Sequence, residues 1–192
     1  HPGEAADLPG IAEPRVALVH NAQREHQEFM TSVEAVAREN GSVLAALPAG
    51  GVAVFPAGDD YSALWRQLAA GRRVVQFGDP AAGAEVADRR ADWRQDHWSV
   101  AADTAAGSLE FELHVAGRHN VRNALAATAC ALAAGAPLAA VAQGLTAFRP
   151  VKGRSRTFML RHRGRAITLV DDTYNANPDS VRAIIHVLAE LR

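Results

Sequence analysis

Two acidic side chains stand next to each other where an apolar run ends, in the segment 170–180, VDDTYNANPDS. Asn177 is a favourable N-cap, and Pro178 is a favourable first residue for the helical pattern that follows. A helix start does not account for Asp171 and Asp172, because adjacent carboxylates suit a ribose or a metal-bound water better than a bare loop. In open α/β sheets, ligands bind where strands end and helices begin. The segment is therefore either a polar loop or the wall of a binding site, and the pattern alone leaves both open.

A second polar group opens the Ala-rich segment 117–127, GRHNVRNALAA. Asn120 and Asn123 are three residues apart and share one face of a predicted helix. Asn is unfavourable inside a helix unless it caps or binds, and its amide offers a donor and an acceptor to a purine edge. The alternative is that Asn120 is an N-cap and Asn123 a solvated surface residue. That alternative is weaker for both together, with His119 beside them.

Other polar groups are less specific. His26, in HNAQREHQEF, could bind a metal with the acids beside it, although a lone His beside acids is usually part of a polar loop. The basic cluster within 152–163 is either a phosphate contact or a solvated hairpin. Residues 1–192 contain no G-x-x-x-x-G-K-[ST] pattern, and so no phosphate-binding loop of that kind.

The elements that must position these residues begin as an alternation of strands and helices. The runs 15–20, 51–55 and 72–78 predict strands, and the segments 31–41 and 59–71 predict helices. This order predicts a parallel sheet with helices on its faces, an α/β fold. Thr31 and Glu34 have capping-box spacing, and Gly41 is expected to end its helix. Residues 1–10 predict neither a strand nor a helix.

The second half of the chain departs from this alternation. Residues 79–92 have no clear pattern, whereas 97–115 and 155–171 predict antiparallel hairpins, the first at a sheet edge or in a side sheet. Further helices are predicted over 120–134 and 137–145, and one begins near Pro178. The predicted fold is thus a mostly parallel sheet flanked by helices, with a small antiparallel side sheet.

Composition excludes several classes of protein. With 192 residues and 48% apolar content, the chain can bury the core of one ordinary domain. A formal net charge of −1 predicts no nucleic-acid partner. Cys130 is the single cysteine, which excludes an intrachain disulfide, suits a reducing cytoplasm and favours a buried structural role. No run of eighteen apolar residues occurs, so no membrane insertion is expected.

The motifs GRHNVRNALAA and LVDDTYNANPDS, with the opening HPGE, resemble the central ATPase domain of the Mur ligases. The resemblance covers nearly the whole chain. It implies that 1–192 is a P-loop-NTPase-like central ATP-binding domain, truncated at both ends, of a cytoplasmic, monomeric enzyme of peptidoglycan synthesis. Such enzymes use ATP and Mg²⁺ to convert a carboxylate into an acyl phosphate, which an amine then attacks. The TYNAN form favours the member that adds D-Ala-D-Ala to UDP-N-acetylmuramoyl-tripeptide.

The resemblance also implies roles for individual residues. Carried over by motif, the ATP-binding set is His119, Asn120, Asn123, Arg154, Asp172, Asn175 and Asn177. The asparagines of the first motif are expected to contact the base, and Asp172 the ribose. Arg154 is expected to reach the nucleotide, and His26 to be a catalytic histidine at the magnesium site.

The sequence departs from the family pattern in two ways. At the catalytic position where the family usually has a carbamylated lysine, this chain has Asn40, which cannot supply a negative charge. The family's phosphate loop would lie upstream of His1, so residues 1–192 alone are expected to be inactive. Another Mur ligase, a folylpolyglutamate-synthase-like ligase and a non-catalytic nucleotide-binding module are the alternatives. A haloacid-dehalogenase-type phosphatase is disfavoured, because 170–173 lacks the D-x-D spacing.

Overall fold

The computed structural model describes residues 3–23, 32–174 and 178–190. The helices are α1 (Glu4–Ala12), α2 (Val33–Ala45), α3 (Ser62–Leu68), α4 (Arg118–Ala133), α5 (Leu138–Ala147) and α6 (Pro178–Glu190), with a 3₁₀ turn at Pro80–Ala82. The strands are β1 (Val16–Leu18), β2 (Val52–Ala57), β3 (Arg73–Gly78), β4 (Ala87–Trp93), β5 (Trp98–Thr104), β6 (Gly107–Leu113), β7 (Arg156–His162) and β8 (Arg165–Asp171).

The first three strands form the predicted parallel sheet, in the order β1-β2-β3. Every residue of the middle strand, β2, is buried, because helices cover both faces of the sheet. Phe55 packs with Trp65 of α3 on one face, and Val54 packs with Leu125 of α4 on the other. The α/β fold class and the strand–helix alternation are confirmed.

Helix α2 runs four residues beyond Gly41, so the predicted end of that helix is wrong. Gly41 is buried where α2 crosses α3, and a Cβ there would lie 2.5 Å from Leu68 Cδ1 and 2.9 Å from Trp65 Cδ1. Its role is therefore close helix packing. The predicted cap residue Thr31 lies outside the described residues, and the Ser32 hydroxyl accepts the N–H of Ala35 at the start of α2.

The N-terminal segment forms helix α1, which the sequence did not predict. The Glu39 carboxylate of α2 accepts the N–H groups of Gly3 and Ala5, at 2.8 and 3.0 Å. A carboxylate is favourable at a helix N-terminus because it pairs with unsatisfied N–H groups and the positive end of the helix dipole. Capping from a neighbouring helix thus supplies what α1 lacks in its own sequence.

Helix α4 joins the parallel sheet to a three-stranded antiparallel sheet of order β4-β5-β6. Leu125 and Ala129 pack on β2 and β3, whereas Val121 and Ala124 pack with Phe111 of β6. The predicted hairpin is confirmed as part of this side sheet, and β4, within the unassigned segment 79–92, is its third strand.

Within the described part of the chain, strands β7 and β8 pair only with each other, as an antiparallel hairpin. Strand β8, which leads into the segment 170–180, therefore does not belong to the parallel sheet. The inference that a ligand binds there because a strand of an open α/β sheet ends there was wrong. Among the described residues, none of the helices is both long enough and apolar enough to span a bilayer.

Candidate functional site

The N-terminal half of α4 faces the loop before β7 across a cavity of about 480 Å³. Five residues predicted to bind a nucleotide line this cavity: His119, Asn120, Asn123, Arg154 and Asp172. The remaining lining residues are Val115, Phe148, Pro150, Val151 and Ser155. Three segments that are separate in sequence, 115–123, 148–155 and residue 172, thus meet around one space.

A chain of amide hydrogen bonds fixes the α4 wall. Asn120 Nδ2 donates to the Ala116 carbonyl oxygen at 2.6 Å, and Asn123 Nδ2 donates to Asn120 Oδ1 at 3.0 Å. His119 Nε2 lies 3.1 Å from Asn120 Nδ2. Asn120 is the third residue of α4 and Gly117 occupies the N-cap position, so the N-cap interpretation of Asn120 was wrong. The side-chain oxygen of Asn123 and its second amide N–H take no part in these bonds, and the residue is exposed.

Gly117 allows the chain to turn into α4 beside α6. Its φ of +93° is in the region that side chains disfavour. A Cβ there would lie 2.5 Å from His119 Cε1 and 2.9 Å from Val187 Cγ2. The glycine of the first motif is therefore required both by the backbone conformation and by the lack of space for a Cβ.

Ser155 and Asp172 connect the loop wall to the end of β8. The Ser155 N–H and hydroxyl both donate to Asp172 Oδ1, at 2.8 and 3.1 Å. The Ser155 carbonyl oxygen accepts the N–H of Ala116, at 3.4 Å, just before α4. Ser155 is 7% exposed and has a φ of +49°, a conformation unfavourable for serine. Sequence reasoning missed Ser155, because no pattern marks a left-handed serine.

Asp171 holds the same loop by other bonds. Its carboxylate accepts the Gly153 N–H at 3.1 Å, and it accepts the Thr173 hydroxyl at 2.7 Å and N–H at 3.3 Å. The Thr173 hydroxyl bond is the main cause that lowers the pKa of Asp171, with the Gly153 N–H contributing. Gly153 in turn accepts the Tyr174 N–H at 3.0 Å. Asp171 therefore supports the loop and does not line the cavity.

Arg154 brings positive charge to the cavity. Its guanidinium carbon lies 3.8 Å from the centroid of the Tyr174 ring, a cation–π contact. Tyr174 is the tyrosine of the second motif, and its ring orients the arginine. With Asp172 opposite, the loop wall offers one cation and one anion to a ligand.

Three predicted site residues lie outside the described residues: His26, Asn175 and Asn177. Asn40 does not line the cavity between α4 and the loop before β7. Asn40 lines a separate cavity of about 690 Å³ between α1 and β1, where its Nδ2 donates to the Asn21 carbonyl oxygen at 3.3 Å. Its catalytic role stays a prediction.

A further cavity of about 510 Å³ lies at the carboxyl ends of β2 and β3. Arg118 and Arg122 of α4 line it, and His119 lines both this cavity and the first. Arg118 pairs with Asp88 at 2.7 Å. The ends of parallel strands are where ligands bind in open α/β sheets, so the sheet argument applies here and not at segment 170–180.

Comparison with known proteins identifies relatives over the whole length. The Mur ligase middle domain family matches residues 1–131. The UDP-N-acetylmuramoyl-tripeptide–D-alanyl-D-alanine ligase of Escherichia coli K12 is 33% identical over 191 residues, which are 100% of this chain and 42% of that protein.

Solved structures agree with that match. MurF from Acinetobacter baumannii is 32% identical with a TM-score of 0.87, over 99% of this chain and 40% of that one. MurF from Thermotoga maritima, solved in complex with ADP, is 21% identical with a TM-score of 0.80, over 99% and 42%. The chain spans about two fifths of the length of these relatives.

Proposed function

This chain belongs to the Mur ligase family, and we propose that it is the central ATP-binding domain of a ligase that joins D-Ala-D-Ala to UDP-N-acetylmuramoyl-tripeptide in peptidoglycan synthesis. The observation that carries the proposal is the cavity where Asn120 and Asn123 face Arg154 and Asp172. The ADP complex of the Thermotoga maritima relative supports a nucleotide as the ligand of this fold.

The cavity offers groups for each part of a nucleoside. The amide of Asn123 retains an acceptor oxygen and a donor N–H, which match the N6 amino group and N7 of adenine. Phe148 and Val151 are 50% and 68% exposed, and they provide apolar surface for a flat base. Burial of such a ring on apolar side chains stabilises the complex by the hydrophobic effect.

The loop wall suits the sugar and phosphates. Both Ser155 bonds go to Oδ1 of Asp172, so Oδ2 is available to accept a ribose hydroxyl. Arg154 carries a charge that attracts phosphate oxygens. We infer that this wall binds the ribose and the first phosphates, while α4 binds the base.

In the proposed reaction, the terminal carboxylate of the tripeptide attacks the γ-phosphate of ATP, and ADP leaves. The amine of D-Ala-D-Ala then attacks the acyl phosphate, forming the amide and releasing phosphate and a proton. The residues of this cavity contribute by holding ATP in a fixed position, which lowers the entropic part of the activation free energy of the phosphoryl transfer.

His26 is the one residue of this chain that the proposal assigns to a magnesium site. Mg²⁺ prefers hard oxygen ligands and usually takes carboxylates in proteins. Asn40 is neutral and bonded to Asn21, while the Glu39 carboxylate caps α1. The described residues around Asn40 therefore do not fit a magnesium site, and no chemical step is assigned to the ion.

The proposal is tested by titrating the chain with ATP and GTP, in the wild type and in Asn123→Ala. Loss of a bidentate contact to a base costs about 1–3 kcal/mol, so ATP affinity should fall about 5- to 150-fold. Guanine carries an acceptor where adenine has its amino donor, so the preference for ATP over GTP should shrink as well.

The matched control is Gln143→Ala, which removes an exposed amide of α5 that does not line the cavity. It should leave ATP affinity unchanged. Equal ATP affinity in Asn123→Ala and wild type would show that this cavity does not bind the adenine base.

A further inference from the structure

A cluster of two imidazoles and two carboxylates lies at one end of the side sheet. Its members are Asp96 and His97, in the turn that enters β5, and Glu112 and His114, at the end of β6. One ligand atom from each of Asp96, His97 and His114 lies within 4.8 Å of the others. None of the four residues lines the cavity between α4 and the loop before β7.

Strand geometry brings these side chains to one face. Glu112 and His114 are two residues apart, so they point to the same side of β6. Trp98 pairs with Leu113, and one step further this antiparallel register places His97 opposite His114. The imidazole centroids are 5.2 Å apart. The register of β5 and β6 therefore brings together the two rings, which stand just before β5 and just after β6.

The distances between donor atoms approach those of a metal site. His114 Nε2 lies 3.5 Å from Glu112 Oε2, and His97 Nε2 lies 3.9 Å from Glu112 Oε1. Bonds of about 2.0–2.2 Å in a tetrahedral zinc site place ligand atoms about 3.3–3.5 Å apart. Both imidazole Nε2 atoms therefore lie close to the Glu112 carboxylate, each beside a different oxygen.

Asp96 adds an orienting contact. Its Oδ1 lies 2.9 Å from His97 Nδ1, so Nδ1–H can donate to the carboxylate and leave Nε2 as the metal-binding atom. The imidazole side chains of His97 and His114 are 22% and 19% exposed, which leaves access for an ion but limits competing water.

We propose that His97, His114 and Glu112 bind a divalent transition metal of the zinc class, with Asp96 orienting His97. Imidazole nitrogen with carboxylate oxygen is a ligand set for Zn²⁺ and its neighbours in the transition series, whereas Mg²⁺ and Ca²⁺ prefer oxygen alone. The ion joins the β4–β5 turn to the end of β6 and fixes that end of the side sheet.

The test is Zn²⁺ titration of the purified chain against a chromophoric chelator, with wild type, His97→Gln and His114→Gln. Loss of either imidazole should weaken Zn²⁺ binding at least about 10-fold, and Asp96→Asn should weaken it about 10- to 100-fold through the lost orientation. His162→Gln, an exposed imidazole of β7, is the matched control and should bind Zn²⁺ like the wild type.

Two further measurements separate binding from misfolding. Glu112 is 54% exposed, so Glu112→Gln should keep the fold and still weaken Zn²⁺ binding. Zn²⁺ should raise the thermal midpoint of the wild type and not that of the double variant His97→Gln with His114→Gln. Zn²⁺ affinity that is equal in the wild type and in that double variant would overturn the proposal.

Discussion

Asp172→Ala removes the carboxylate that holds the loop wall of the cavity. Two hydrogen bonds end on Asp172 Oδ1, from the N–H and the hydroxyl of Ser155, at 2.8 and 3.1 Å. A hydrogen bond to a charged group stabilises by about 1.5–3 kcal/mol and an ordinary one by about 0.5–1.5 kcal/mol. Because Asp172 is only partly buried, water replaces some of this, and a local loss of about 2–3 kcal/mol is expected.

The loss should be local, since a two-stranded hairpin opens more readily than the core. Amide hydrogen exchange at Ser155 is therefore the assay. A loss of about 2–3 kcal/mol makes exchange about 30- to 150-fold faster at that amide. Exchange in β2, the buried middle strand, should stay as in the wild type.

Two further variants complete the experiment. Asp172→Asn keeps an acceptor oxygen for Ser155, so exchange should rise less than about 10-fold while ATP affinity still falls through the lost ribose contact. Asp92→Ala is the matched control, because Asp92 pairs with Arg90 and Arg94 at the surface, where such pairs contribute about 0–1 kcal/mol.

Two results would refute this reasoning separately. Exchange at Ser155 within about threefold of the wild type in Asp172→Ala would show that the carboxylate is not the anchor of the loop. Unchanged ATP affinity in Asp172→Asn, with the Ser155 amide still protected, would show that Asp172 does not contact the nucleotide.

Three other predictions follow from glycine geometry and from burial. Gly153→Ala would place a Cβ 2.9 Å from the Tyr174 backbone nitrogen, at a φ of +81°. It should therefore destabilise the protein more than Gly164→Ala, because Gly164 has a φ of +78° but no atom within 4 Å of such a Cβ. Denaturant unfolding of both variants measures the difference in the free energy of unfolding. Gly41→Ala should cost about 1–3 kcal/mol by overpacking α2 on α3, whereas Gly144→Ala, with open space in α5, should stabilise by up to about 1 kcal/mol. Burial raises the pKa of Cys130, so a thiol reagent should react more slowly with the native chain than with the chain in urea; equal rates would contradict this.

The parallel sheet was predictable because β1 and β2 are continuous apolar runs, and β3 is a mostly apolar run interrupted by Gln76. Strand β4 was not predictable, because its sequence ADRRADW is mostly charged and its two arginines are exposed. A register shift between Asp88 and Arg90 also breaks the alternation that would mark a half-buried strand. Helix α1 was missed for a different reason, since its N-terminal cap comes from Glu39 in another helix.

The candidate site was predictable as far as its motifs reach. The two motifs supplied His119, Asn120, Asn123 and Asp172, and the structure places all of them at one cavity. Sequence alone could not separate Asp171 from Asp172. Only the fold shows that Asp171 is taken up by Gly153 and Thr173, because those bonds depend on a loop with positive φ values.

Polar bonds, more than apolar burial, position the loop wall of the cavity. Four large apolar side chains of the hairpin, Met159, Leu160, Ile167 and Leu169, are 44–55% exposed, so they bury little surface against the rest of the described chain. A two-stranded hairpin is marginal on its own. Its position therefore depends on the bonds of the adjoining loop and on the Ala116 N–H, which reaches the Ser155 carbonyl oxygen. It follows that substitutions in this loop should change nucleotide affinity by moving Arg154 and Asp172, even where the substituted residue touches no nucleotide.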